Sequence, residues 1–431
     1  MANHENSLSN NRRPLVTTDG VSVSELTKAI SGTDELAIVD PRAHETYSQG
    51  HLLWAGSLRL DDALVAAEVL LPRLSTPIVI AGEEEDEDRA LQSVLKENGW
   101  TNVTVLEGGI RSWTQAGHEL YSGVNVPSKL FGELVERHYG TPHVNARQLN
   151  EWISEGRQLV VLDSRTEREF NRMSIPTGRS CPGGELVHRV FDLLEQDATV
   201  VVNCAGRTRS ILGAESLVRA GIPNDVVALE NGTMGWELAD LTLDHGNDDA
   251  APAPTVRGRQ QASAAAQKVS TRFDVSQITS STMNEWKSDG SRTLYQFDVR
   301  TPVEYEAGHL AGFRNAPGGQ LIQATDEYAI TRGSRIVLAD DDLTRATMTA
   351  SWLIEMGWET YVLNDESGDD SSLEHGTSDP TFRSPQVVLP YDPGDAHVAR
   401  QAMQRYLDWE VALVDQYDRD TLARFTHEGW A

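Results

Sequence analysis

Three stretches of this chain begin alike, and that internal repetition constrains the fold more than any other feature of the sequence. They are LAIVDPRAHETYSQGHL from Leu36, LVVLDSRTEREFNRMSI from Leu159 and LYQFDVRTPVEYEAGHL from Leu294. Each opens on a short apolar run ending in Asp-x-Arg, the pattern of a buried strand running into a loop. The pairs are Asp40 and Arg42, Asp163 and Arg165, and Asp298 and Arg300; the aromatics Tyr47, Phe170 and Tyr305 stand five residues after the arginines.

A second strand is predicted in each copy: PIVIAG from Pro77, TVVVNC from Thr199 and RIVLAD from Arg335. A loop and a helix-like stretch follow, closing on Gly99, Gly221 and Gly357, where a helix C-terminus favours positive φ. Third runs follow as NVTVLEGG, DVVALENG and ETYVLNDE. Alternating strands and helices predict three tandem α/β domains, each a mostly parallel sheet flanked by helices. The expected boundaries are 15–125, 143–246 and 271–368, with linkers at 126–142 and 247–270. Within the first linker, VPSKLFGELVERHYG has the pattern of a short helix. The second reads as flexible, being rich in Pro, Ala and Asp. Residues 369–431 are expected to hold a polar linker and a helical extension. In that tail Val398, Ala402, Tyr406, Trp409 and Leu413 mark one apolar face, suited to a neighbouring unit or to a second chain in a homodimer.

Composition narrows the partners. At 39% hydrophobic and 24% charged residues the chain has ordinary globular content. A formal net charge of −28 sets it against nucleic acid and anionic membrane surfaces, both of which carry phosphate. Two cysteines are too few for a disulfide framework and suit a reducing compartment. The polar opening MANHENSLSNNRRPLVTTDG lacks the apolar core of a secretion signal. No apolar run approaches the ~20 residues of a membrane span, so the expected location is the cytoplasm.

The second copy carries the chemistry. Its second strand ends in Cys204, and Ala205-Gly206-Arg207-Thr208-Arg209-Ser210 leads into a helix. A cysteine there faces converging backbone N–H groups and the positive end of a helix dipole. Both favour the nucleophilic thiolate, as do Arg207 and Arg209, and Gly206 lets the backbone curl inward. A small buried cysteine at a strand end is the bland alternative, but packing alone has no use for two guanidinium groups.

The closing run Leu106-Glu107-Gly108-Gly109 with Trp113 recurs as Leu229-Glu230-Asn231-Gly232 with Trp236. Together with Asp-x-Arg, the aromatic, the Gly-His-Leu element and the cysteine loop, it resembles the signature of rhodanese domains, in three copies over most of residues 20–365. The resemblance implies a sulfurtransferase. Cys204 would take sulfane sulfur from thiosulfate or a persulfide donor, become a persulfide, and pass the sulfur to a thiol or cyanide in a ping-pong cycle. Ala205, Gly206, Arg207, Thr208 and Arg209 would hold the anionic donor, with Asp163, Arg165 and Ser210 in support. No cofactor or metal is expected, since the Gly-Gly pairs are too isolated to form a nucleotide motif.

The other copies lack the nucleophile. Gly82 stands opposite Cys204 in GEEEDEDR, whose six acidic side chains would repel an anion. Asp340 stands there in the third copy, in DDDLTR, which reads as a solvated acidic loop with Arg345 opposite Arg209. Both units are therefore expected to be catalytically silent. Gly50-His51 and Gly308-His309 have Met173-Ser174 as their counterpart in the second copy, so those histidines are expected to serve the fold. Cys181 lies opposite Ala316, which points to a small core position; a resolving thiol is the sharper alternative. Because silent units retain Asp-x-Arg, that pair reads as mainly structural. A cysteine-dependent phosphatase or arsenate reductase is the rival enzyme, but those loops have Cys-x₅-Arg spacing, whereas Cys204 to Arg209 is Cys-x₄-Arg, a tighter cradle suited to one sulfur atom. A regulatory or scaffolding protein is the other alternative.

Overall fold

A computed structural model describes residues 19–365, 373–377, 395–422 and 425. In the first unit β1 (Leu36–Asp40), β2 (Ile78–Ile80) and β3 (Val103–Leu106) form the sheet centre, and α1 (Glu85–Glu97) joins the last two. Helix α2 (Val126–Tyr139) leads to the second unit, formed by β4 (Leu159–Asp163), α3 (Glu167–Arg172), β5 (Thr199–Asn203), α4 (Thr208–Ala220) and β6 (Val226–Leu229). Helix α5 (Val256–Arg272) precedes the third, with β7 (Leu294–Asp298), α6 (Pro302–Ala307), β8 (Arg335–Ala339), α7 (Thr344–Glu355) and β9 (Glu359–Leu363). A long helix, α8 (Ala396–Arg419), follows.

All three units share one strand order. In the second it runs His143–Val144, β6, β5, β4, Arg179–Ser180, with every neighbour parallel. Its central strands are rich in Val and Leu because helices cover a parallel sheet on both faces. The first unit departs at one edge, where Thr331–Arg332 of the third unit pairs antiparallel with Leu36 and Ala37. The expected α/β architecture with a C-terminal helix is the observed one.

Two connecting segments differ from expectation. The 247–270 stretch, read as a flexible linker, contains helix α5. Thr255 caps it by accepting the Gly258 N–H, and Ala262, Ala265, Ala266 and Val269 are buried. Alanine is the strongest helix former, and a continuous run of it outweighs the nearby Pro and Asp. In α8 the buried face is Ala399, Ala402, Met403, Leu407, Glu410 and Leu413, whereas Val398 is exposed. Of the expected face, Ala402 and Leu413 are buried and Tyr406 and Trp409 half-buried at its margin, because Glu410 rather than an apolar residue lies at its centre. Helix α8 packs on α2 of the same chain. The polar stretch between α8 and the third unit lies mostly outside the described residues. No helix among the described residues is long and apolar enough to cross a membrane.

Units two and three meet through their Pro-Gly-Gly segments. A Cβ on Gly184 would stand 3.0 Å from the Gly319 nitrogen, so only glycine allows this backbone approach. His188 lies buried in the same interface, 3.1 Å from Asp342 and 3.6 Å from Glu185. Burial pulls its pKa down, but the two carboxylates win and raise it to about 9. A raised folded-state pKa contributes stability that is complete below the unfolded value of about 6.5 and is lost as pH rises through about 9. Unfolding midpoints followed across that window should fall for the wild type and stay flatter for His188→Gln.

Candidate active site

Strand β5 delivers Cys204 to the C-terminal edge of the sheet, and the chain turns through Ala205–Arg207 into α4. The turn is held from behind. Thr233 N–H donates to the Cys204 carbonyl (2.9 Å) and Met234 N–H to that of Ala205 (3.0 Å). Gly232, at φ +54°, permits this closeness, since a Cβ there would lie 2.3 Å from the Cys204 oxygen. That is the physical reason for a glycine at the end of the Leu-Glu-Asn-Gly run. Gly109 repeats the arrangement against Gly82.

Cys204 is 2% exposed and is a free thiol. Its sulfur lies 3.5 Å from the Ser210 hydroxyl, which donates to the Arg207 carbonyl at 2.8 Å. Burial pushes the thiol up, while the Arg209 charge and the Ser210 hydroxyl pull it down and Glu410 adds to the rise. The net shift is upward, so the expected preference for thiolate is reversed in this closed loop: desolvation outweighs the arginine.

The two arginines part company. Arg209 donates both Nη groups to the Glu169 carboxylate, each at 2.8 Å, and its charge acts on Cys204. Glu169 is positioned by the capping box of α3, in which Thr166 and Glu169 bond reciprocally. Arg207 turns to α2, donating to Glu133 at 2.7 and 2.8 Å and to Glu136. Its fork is therefore filled by protein carboxylates. Thr208 Oγ1 donates to Glu410 of α8 at 2.6 Å, and the open face of Gly206 is covered by Tyr406, Leu407 and Glu410.

Asp163 and Arg165 form a buried fork with bonds of 2.8 Å; Arg165 also donates to the Met173 carbonyl, and Asn203 to Asp163. Strand register sets Asp163 opposite Asn203, so this pair braces the loop base. The same fork recurs at Asp40–Arg42 and Asp298–Arg300. His51 and His309 stack on Tyr47 and Tyr305, 3.9 and 3.6 Å between ring centres. Cys181 and Ala316 are both fully buried, each with its N–H on the aspartate carbonyl of the neighbouring strand.

Carboxylates fill the corresponding loops elsewhere. Asp340 is not solvated: its oxygens accept the N–H groups of Leu343 and Arg345, both at 2.8 Å, and burial raises its carboxyl to about 7. In that loop Asp341 is exposed. Arg345 pairs with Glu304, as Arg209 does with Glu169, and also reaches Glu185 of the second unit. In the first unit Asp88 lies 2.0 Å from where a Gly82 Cβ would be, so its carboxyl occupies the cysteine's place.

Sequence reasoning missed Glu169, Glu133, Glu136, Tyr406 and Glu410. A signal existed for Glu169, since Thr-x-x-Glu recurs as Thr301-x-x-Glu304 and each glutamate meets an arginine of the helix that follows the next strand. The others come from helices outside the repeat: the spacing marks Tyr406 only as part of an apolar face, and no local pattern marks Glu133, Glu136 or Glu410.

The fold and this loop define a class: repeated α/β units, one of which presents a cysteine between a parallel strand and a helix. The rhodanese-like domain profile matches residues 22–116, 145–239 and 281–367, and the chain belongs to the rhodanese family. It is similar to a thiosulfate sulfurtransferase from Pseudomonas aeruginosa, with 33% identity, a TM-score of 0.88, and coverage of 95% of this chain and 99% of that one. A rhodanese-related protein from Thermoplasma volcanium is 29% identical over 24% of this chain and 97% of its own, with a TM-score of 0.21. No curated protein sequence matches the chain significantly.

Proposed function

We propose that this protein is a sulfurtransferase that moves sulfane sulfur from thiosulfate or a persulfide donor to a thiol or cyanide through a Cys204 persulfide. The observation that carries the reading is the free Cys204 at the junction of β5 and α4, with the Arg209 charge acting on it. The full-length likeness to a protein named thiosulfate sulfurtransferase supports the donor class. Cys204 thiolate attacks the outer sulfur, the Cys–S bond forms as the donor S–S bond breaks, and sulfite or a thiolate leaves. An acceptor thiolate or cyanide then takes the outer sulfur and restores Cys204. The two unpaired cysteines fit a reducing, cytoplasmic setting.

Arg209, whose charge acts on the thiol, is the arginine that stabilises the anionic donor and the persulfide. Arg207 serves mainly to clamp α2. Thiosulfate-to-cyanide turnover tests this division. Arg209→Gln should lose about 10- to 100-fold, while Arg207→Gln loses less than about threefold in rate. Arg207→Gln should instead lower the unfolding midpoint, because it strips the partner from buried Glu133. Equal losses of turnover would contradict the assignment.

A further inference from the structure

Helix α8 belongs to none of the three repeats, yet it closes the Cys204 loop. Its Glu410 is 1% exposed and stands on the face turned toward the second unit. One carboxylate oxygen accepts the Thr208 hydroxyl at 2.6 Å. The other, Oε2, is buried with no hydrogen-bond partner among the described residues, and lies 3.2 Å from where a Gly206 Cβ would be. A buried carboxyl oxygen without a partner is costly unless it serves a further purpose.

The charged and titratable groups that act on or feel Glu410 are Lys129 and Glu133 of α2, Cys204, Arg207 and Thr208 of the loop and its helix, and Tyr406 of its own helix. Burial raises the Glu410 carboxyl against the pull of Thr208, Lys129 and Arg207, and its charge in turn raises Cys204. The unpartnered Oε2 thus stands over Gly206, two residues from Cys204 in the same closed loop, where a carboxylate can take up a proton.

We propose that Glu410 holds the Cys204 proton while that cysteine carries sulfur. It rests on the persulfide cycle proposed above. In the resting state Cys204 is a thiol and Glu410 a carboxylate. As thiosulfate binds, the proton passes from sulfur to Glu410. The Cys204 thiolate attacks the outer sulfur, the donor S–S bond breaks, and sulfite leaves as its dianion. Cys204 persulfide anion and neutral Glu410 remain, with overall charge unchanged. In the second half an acceptor thiolate takes the outer sulfur as the Cys204–sulfur bond breaks. Neutral Glu410 returns its proton to the departing Cys204 sulfur, which makes a buried, poorly ionising thiol an adequate leaving group.

Proton release during loading with thiosulfate in weakly buffered solution tests this, with persulfide counted in parallel by mass spectrometry. Glu410→Gln cannot accept the proton and should release about one proton more per persulfide than the wild type near neutral pH. Infrared difference spectra of loaded minus resting wild type should show the carbonyl stretch of a newly protonated carboxylic acid, which needs no variant to fold. Equal proton release by both proteins, or no such band in the loaded wild type, would overturn the assignment of Glu410. A wild type that forms no persulfide at all would instead overturn the sulfurtransferase reading on which it rests.

Discussion

Replacing Cys204 with Ser should lower thiosulfate-dependent sulfur transfer on the order of 10⁴-fold or more, with the fold intact. The size of the effect follows from where the molecule keeps its chemistry. Cys181 cannot substitute: it is fully buried, and burial pushes its thiol well up. Neither cysteine-less unit should substitute, because Asp340 and Asp88 already fill the loops in which a sulfur would sit. Ser is nearly isosteric, so the Thr233 and Met234 bonds to the loop carbonyls should survive. Circular dichroism and the unfolding midpoint of Cys204→Ser should therefore match the wild type while turnover with cyanide disappears. A variant that kept more than a few per cent of wild-type turnover would show that the sulfur travels by another route. A protein acting solely as a scaffold would lose nothing on this substitution.

Arg219→Ala should cost about 3–5 kcal/mol of stability. Arg219 lies near the end of α4 with its side chain fully buried, 3.4 Å from the Trp352 ring centre, 4.3 Å from that of Phe273 and 4.9 Å from that of Tyr139. Its Nη1 stands 2.5 Å from Glu355, also fully buried, whose other oxygen accepts the Tyr139 hydroxyl. One guanidinium thus joins α4 to α2, to Phe273 at the C-terminal end of α5, and to α7 at the junction of the second and third units. Truncation strands the Glu355 charge among aromatic rings, which is why the loss exceeds that of a surface pair. Chemical denaturation of Arg219→Ala, Glu355→Leu and the Arg219→Met/Glu355→Leu double variant separates the contributions. The double variant should recover much of the loss, since apolar replacement of a buried pair removes its desolvation cost. A loss below about 1 kcal/mol for Arg219→Ala would show that solvent reaches Glu355.

Both expectations depend on features that the sequence reveals unequally. Strands ending in Asp40, Asp163 and Asp298, with their Asp-x-Arg forks, are legible because the repeat displays each element three times. Cys204 is legible because strand end, cysteine, glycine and arginine fall within a few residues. Helix α5 is hard to see in the sequence because the nearby Pro and Asp suggest a flexible segment, although its own Ala run favours a helix. The division between Arg207 and Arg209 is invisible locally, since it depends on Glu133 and Glu136 arriving on α2 and on Glu169 within the α3 capping box. Glu410 is hidden more deeply. In a linear pattern it interrupts an apolar face, and its position over Gly206 arises only when α8 packs across a unit about 200 residues earlier in the chain. The Pro-Gly-Gly segments are the reverse case: legible as repeats, their role as the contact between two units appears only when they face each other.

Mass spectrometry of the wild-type protein after incubation with thiosulfate and removal of excess donor decides whether Cys204 carries the sulfur. One added sulfur atom per chain is expected, confined to the peptide containing Cys204 and removed on addition of cyanide. An unchanged mass with thiosulfate and with persulfide donors, or sulfur found on Cys181 instead, would contradict it.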